Sequence, residues 1–241
     1  ITRGGMSPVL AVILSVVICT VLGVVIEKVA YSPLRKASSN LAVLITAIGV
    51  SYLLQNVALL IFGSASQSFT SVVKNVAPVT IGGVTISMET IISIVVSLII
   101  MVCLTFFINK TKAGKAMLAV SEDKGAAQLM GINVNATISL TFAIGSALAG
   151  VASVLLCSSY PQISPYTGSM PGIKAFVAAV FGGIGSIPGA MIGGILLGII
   201  ENLSKAYISS QLSDAIVFLV LIVVLIVKPT GIMGKKISEK V

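Results

Sequence analysis

Few residues in this chain can do chemistry, and most of them sit in three stretches. Ser51, Tyr52, Gln55 and Asn56 form the first. On a helix, positions 51 and 55 share a face and 56 adjoins them. Such hydroxyls and amides can line a route for a zwitterion; hydrogen bonding between helices is their other, commoner use in lipid. The second stretch reads Gly-Ile-Gly-Ser-Ile-Pro-Gly over 183–189, so that Gly183, Gly185, Ser186, Pro188 and Gly189 interrupt an apolar run. Irregular backbone is tolerated at membrane depth only where protein or a watery cavity satisfies the freed polar groups. The third is the longest charged interruption, residues 109–135.

That interruption has the punctuation of a short helix over 121–131. Ser121 can cap the first amides, and Glu122 and Asp123 then sit at the positive end of the macrodipole. Ala126, Ala127, Leu129 and Met130 supply an apolar face, and Gly131 is placed for a left-handed stop. Small alanines leave a shallow surface on which a partner's groove could close. An amphipathic helix lying on the membrane surface fits the same residues equally well.

Other chemistries find no residues. The histidine count is zero, so neither a nucleophile–base pair nor a metal cluster is legible. Ala113-Gly-Lys-Ala116 lacks the upstream Gly and the Ser/Thr of a phosphate-binding loop. No Asp, Glu, Lys or Arg lies near the centre of an apolar span, which weighs against a proton-coupled carrier or voltage sensor. Lys174, Glu201 and Asp214 fall near span ends, where they can reach the interface or pair. The chain reads as a non-enzyme without cofactor or metal, and energy for any work must come from another subunit.

The elements that position these stretches are set by composition. Hydrophobic residues make up 56% of the chain and charged residues 9%, with a mean hydropathy of +1.13. This is the balance of an all-α polytopic membrane protein rather than a soluble domain. The net charge of +8 does not imply nucleic acid, because the cations lie between apolar spans, facing anionic headgroups. Cys19, Cys103 and Cys157 lie within apolar runs and read as free thiols.

Spans are expected over 9–26, 41–62, 91–108, 137–157 and 213–227, with a broken or re-entrant pair at 172–183 and 188–203. That makes about six to seven membrane-embedded segments. Glu27, Lys28, Arg35 and Lys36 close the first span, with Tyr31 at the interface. Gly145, Ser146 and Gly150 offer a small-residue face in the fourth. A helix over 172–183 is about 18 Å long, short of a core of roughly 30 Å. Gly185, Gly189 and Gly193, and separately Gly194 and Gly198, are spaced for close backbone approach. Within the loop 63–90, residues 79–86 alternate around Gly82-Gly83 and read as a small β-hairpin.

Cations concentrate in 27–40, 109–135 and the tail with Lys235, Lys236 and Lys240, and are nearly absent from 63–90 and 158–171. The first set is expected to be cytoplasmic and the second external. The basic tail is cytoplasmic only if 172–203 enters and returns on the outside. The abrupt start at Ile1 suggests one N-terminally incomplete domain over 1–241.

Several motifs in fixed order then carry a resemblance. Glu27-Lys-Val-Ala-Tyr-Ser-Pro-Leu-Arg35 is followed by Leu44-Ile-Thr-Ala-Ile-Gly-Val-Ser51 with Gln55-Asn56. Then come Met130-Gly-Ile-Asn133, Leu140-Thr-Phe-Ala-Ile-Gly-Ser-Ala-Leu-Ala-Gly150, Lys174-Ala-Phe-Val-Ala-Ala-Val180 with 182–189, and Lys228-Pro-Thr-Gly231. From end to end the chain resembles the H-type permease of branched-chain amino acid ABC importers. The resemblance implies a subunit in the bacterial plasma (inner) membrane with a cytoplasmic C-terminus. It also implies a second homologous permease, two cytoplasmic ATP-binding subunits and an extracytoplasmic amino-acid-binding protein as partners. In this family the cytoplasmic loop carries a Glu-Ala-Ala-x-x-x-Gly pattern that seats in the ATPase. Ala126, Ala127 and Gly131 fit it, whereas Gly125 stands where Glu is usual, which tells against a salt bridge from that position. Related permeases carry amides or urea. A secondary transporter or channel using 172–203 as its filter, and a scaffold subunit, are the competing classes.

Overall fold

The computed structural model describes residues 7–36, 40–69, 79–81 and 83–234. Residues 235–241, including Ser238 and the three tail lysines, lie outside the described residues, as does Gly82 of the hairpin turn. The chain forms two compact units, one of residues 1–98 and 106–167, the other of 99–105 and 168–241.

The first unit begins with α1 (Pro8–Ile26), whose Pro8 starts a helix where a missing N–H costs nothing. Contrary to the expected interfacial stop at Glu27, the helix runs on as a π turn over Glu27–Tyr31. Glu27 is not an interfacial charge, being 1% exposed. The Ser139 hydroxyl donates to its Oε2 at 2.7 Å. Tyr31 leans on Phe142, ring centroids 5.0 Å apart.

A 3₁₀ turn (Pro33–Lys36) leads towards α2 (Asn40–Phe62). Then come β1 (Gln67–Ser68), β2 (Val79–Ile81) and β3 (Val84–Ile86). β2 and β3 pair antiparallel, with Thr80 opposite Thr85, as the alternation in 79–86 predicts. Next are α3 (Met88–Lys110), α4 (Lys112–Glu122), α5 (Lys124–Leu129), α6 (Val134–Ser159) and β4 (Gln162–Ile163). β1 pairs antiparallel with β4, Gln67 opposite Ile163, so the two cation-poor loops meet at one end of this unit.

The spine of the first unit is α1 against α6. A Cβ on Gly23 would lie 1.8 Å from Ser146 Oγ, and one on Gly150 would lie 3.1 Å from Val16 Cα. Small residues thus let the helices approach closely. Gly145, expected on the same seam, faces open space instead. It is one residue round the helix from Ser146, which rotates it away.

The second unit contains the middle of α3 (99–105) together with α7 (Ser169–Gly182), α8 (Ile187–Tyr207) and α9 (Ser213–Val227). Val177, Phe181, Leu197 and Val217 form its core, with contributions from α7, α8 and α9. α7 and α8 make a hairpin whose arms touch through glycine. A Cβ on Gly193 would lie 2.5 Å from Ala178 O, and one on Gly182 would lie 2.0 Å from Gly189 O. Gly185 and Gly198 do not join these seams, since nothing approaches either position. Gly185 has left the helix for the turn at φ 90°. The pair is unequal: α7 is short, as expected, whereas α8 extends to Tyr207. Among the described residues, five helices are long and apolar enough to cross a membrane, α8 among them, while α7 and α9 are shorter apolar helices.

Candidate functional site

The charged loop folds as two helices rather than one. The α-helix over 112–122 was not expected from Lys112-Ala-Gly-Lys. Thr111 Oγ1 caps it by accepting from Gly114 N at 3.0 Å. Gly114 lies against the end of α3, where a Cβ would meet Ile108 Cα at 2.4 Å. Gly114 and Val120 are its buried residues, with α4 packed on α6. A Thr-x-x-Gly start with apolar residues at 117 and 120 was the legible signal.

The short helix is therefore α5, 124–129, and its cap is Asp123, not Ser121. Asp123 Oδ1 accepts from Gly125 N at 2.8 Å and Ala126 N at 3.0 Å. Ser121 instead ends α4, its hydroxyl donating to Leu118 O. Glu122 also belongs to the end of α4 rather than to the positive end of the next helix. With Ser121 taken up by the end of α4, the next competent cap is Asp123, whose carboxylate meets the first free amides of α5. Gly131 closes α5 as expected, at φ 82°. Ile132 N donates to Ala127 O and Gly131 N to Gln128 O, both at 3.0 Å, the two bonds of a Schellman stop. Asn133 then caps α6 through Ala136 N.

This geometry splits the expected apolar face. Ala127 is 4% exposed and packs inward, while Leu129 and Met130 are 90% and 82% exposed. Ala126 is exposed as well. Beside them a groove of about 580 Å³ opens between α5 and the start of α6, with Lys124, Gln128, Ile132, Asn133 and Asn135 on its walls.

On α2, Gln55 Nε2 donates to Ser51 Oγ at 3.3 Å, and Asn56 Nδ2 donates to Tyr52 O at 2.8 Å. Ser51, Tyr52 and Asn56 are exposed and Gln55 is half-buried, so these polar groups cluster on one helix as the spacing predicts. The turn 183–189 belongs to the other unit. Gly183 and Gly185 take positive φ of 108° and 90°. Ser186 Oγ caps α8 by accepting from Gly189 N at 3.1 Å, and Pro188 sits in the first turn of α8. Gly183 and Gly189 are buried, Ser186 and Pro188 half-buried, and Gly185 exposed beside Ile184.

The charged residues near the span ends pair. Lys174 Nζ lies 2.8 Å from Glu201 Oε1 and 2.7 Å from Asp214 Oδ1, joining α7 to α8 and α9. Lys205, which the sequence did not single out, adds a contact of 2.5 Å to Glu201 from one turn along α8. An i, i+4 Glu–Lys spacing was its signal.

Apolar helices of spanning length, small-residue seams and a broken pair define a multi-pass membrane protein. Residues 1–225 match the family model described as the branched-chain amino acid transport system / permease component. The chain is 47% identical over 231 residues to the high-affinity branched-chain amino acid transport system permease protein LivH of Escherichia coli K12, covering 94% of this chain and 74% of that protein. It is 44% identical over 230 residues to the corresponding permease BraD of Pseudomonas aeruginosa, covering 94% and 75%. A more distant relative, at 26% over 213 residues, covering 81% and 61%, is the autoinducer 2 import system permease protein LsrD of Salmonella paratyphi B. No solved structure matches this chain. The chain belongs to the branched-chain amino acid transport system permease family.

Proposed function

We propose that this chain is a non-catalytic permease subunit of an ATP-driven importer for branched-chain aliphatic amino acids in the bacterial inner membrane. It works with a second homologous permease, two cytoplasmic ATP-binding subunits and an extracytoplasmic binding protein. The observation that carries the reading is the pair Leu129 and Met130, exposed on a loop rich in cations and flanked in sequence by Gln128 and Gly131, which line the groove. Large apolar side chains left bare on a charged, non-spanning segment mark a protein or membrane contact, and the family, whose relatives are transport-system permeases, favours a protein. α4 and α5 both pack on α6, so force applied to the loop reaches a long membrane helix. The groove and these two side chains seat the ATPase, and the loop 109–135 is cytoplasmic. Joining of the two cation-poor loops through β1 and β4 supports a common, external side for them. Ser51 and Gln55 border the solute route.

The test is co-purification of the ATP-binding subunits with Leu129→Asp/Met130→Asp, together with substrate-stimulated hydrolysis in reconstituted complexes. Both side chains are exposed, so the double variant is expected to insert normally while losing both activities. Wild-type levels of both would refute the docking assignment. Uptake by the chain alone in liposomes, without ATP-binding subunits, would instead establish a secondary transporter.

A further inference from the structure

Two motifs far apart in the sequence, 182–189 and 228–231, meet in space. At the tip of the α7–α8 hairpin the last carbonyls of α7 have no partner within their helix. Ile232 N donates to Phe181 O at 3.0 Å and Met233 N to Gly182 O at 2.9 Å. The approach is backbone on backbone: a Cβ on Gly231 would lie 2.6 Å from Gly183 Cα, and one on Gly183 would lie 2.3 Å from Gly234 N. Both glycines hold positive φ, 75° and 108°. Lys228 Nζ donates to Ile232 O at 2.6 Å and folds the segment back on itself.

At the other end of the same helices stands the ion cluster. Lys174 lies early in α7, Glu201 late in α8 and Asp214 at the start of α9, so Lys174 joins the ends remote from the tip. The three helices are held at both ends, by charge at one and by interlocked backbone at the other.

We infer that residues 228–234 form a fixed strap across the hairpin tip, and that α7, α8 and α9 move as one rigid body throughout the transport cycle. The break at 183–189 is then not a hinge. A hinge at the end of α7 requires backbone free to change φ and ψ, whereas here the carbonyls of Phe181 and Gly182 are bonded and Gly183 is packed against Met233 and Gly234, although Gly185 further along the turn is open. The states to be compared rest on the ATP-driven reading above.

The experiment is hydrogen exchange on the full permease complex with its ATP-binding subunits, nucleotide-free and with ATP plus vanadate. The amides of Ile232 and Met233 are expected to exchange about 100-fold more slowly than unstructured chain in both states. Gly231→Val is expected to raise both rates about tenfold, and Lys228→Met, which adds no bulk at the crossing, about threefold. Absence of protection in the wild type, its loss in one nucleotide state, or unchanged rates in Lys228→Met would each overturn the strap. Hydrolysis measured on the same complex separates the two claims. Its absence refutes the ATP-driven reading, while the nucleotide-free rates and both variants still decide the strap.

Discussion

The turns at 130–133 and 183–186 are written with the same local grammar and end in opposite circumstances. Each stops a helix with a glycine at positive φ, Gly131 at 82° and Gly183 at 108°. Each then starts the next helix with a polar cap, Asn133 in one and Ser186 in the other. Around Gly131 there is nothing within reach of an added Cβ, and Leu129 and Met130 stand bare beside it. Around Gly183 the chain from Gly231 to Gly234 fills the space. One turn is open and the other is closed by the protein itself. Local backbone requirement and tertiary requirement are therefore separable, and substitutions can measure each.

The largest effect is expected at the closed turn. Gly183→Val meets both a disfavoured φ and backbone atoms, so strain and overpacking add to about 3 kcal/mol or more. It should be seen as loss of folded protein in detergent melts. A variant melting like the wild type would show that the strap yields easily, and the contrast between the turns would collapse. Gly131→Val meets only the φ penalty, about 1–3 kcal/mol, and should lower the melting temperature less. Because the turn orients α5, the same variant should also weaken co-purification of the ATP-binding subunits. Equal destabilisation by the two valines would mean that the space around Gly131 is filled.

Asp123→Ala removes the cap of α5 and is expected to cost about 0.5–2 kcal/mol, raising exchange at Gly125 and Ala126. If Ser121→Ala does so and Asp123→Ala does not, the cap assignment reverts to the earlier residue. The smallest effect is expected for Lys124→Ala. An exposed cation away from any buried partner changes stability by less than about 0.5 kcal/mol. A large loss of ATPase docking in that variant would move the contact from the apolar pair to the charged wall of the groove.

Legibility followed the range of the interaction. Gly131 was readable as a stop because a left-handed helix end is a property of the residues beside it. The cap lies two positions beyond Ser121 because Ser121 and Asp123 are both competent, and the preceding helix α4 decides between them by consuming Ser121. Ala127 and Leu129 look alike in a hydropathy count, yet one is packed inward and the other exposed, which depends on where α6 lies. Ser51 and Gln55 were readable as neighbours from spacing alone, and their 3.3 Å contact agrees. Their place on a solute route is a matter for transport by Gln55→Leu, expected to reduce uptake while leaving assembly intact.

The amino-acid sequence by itself determined the apolar helical segments, the break within 183–189, the β-hairpin at 79–86 and the family. Each rests on interactions within a segment: apolar length against bilayer thickness, a Gly-rich interruption, alternation around a turn, residue order. Tertiary structure alone decided which glycines are crossing points, burying Gly150, Gly189 and Gly193 while leaving Gly145 and Gly198 open. It also decided that Glu27 is buried beside Ser139 and that the last turn of α7 is satisfied by residues 232 and 233. A missing Cβ permits close approach anywhere along a helix, but only the arrival of a second backbone makes it necessary, and that backbone lies far along the chain.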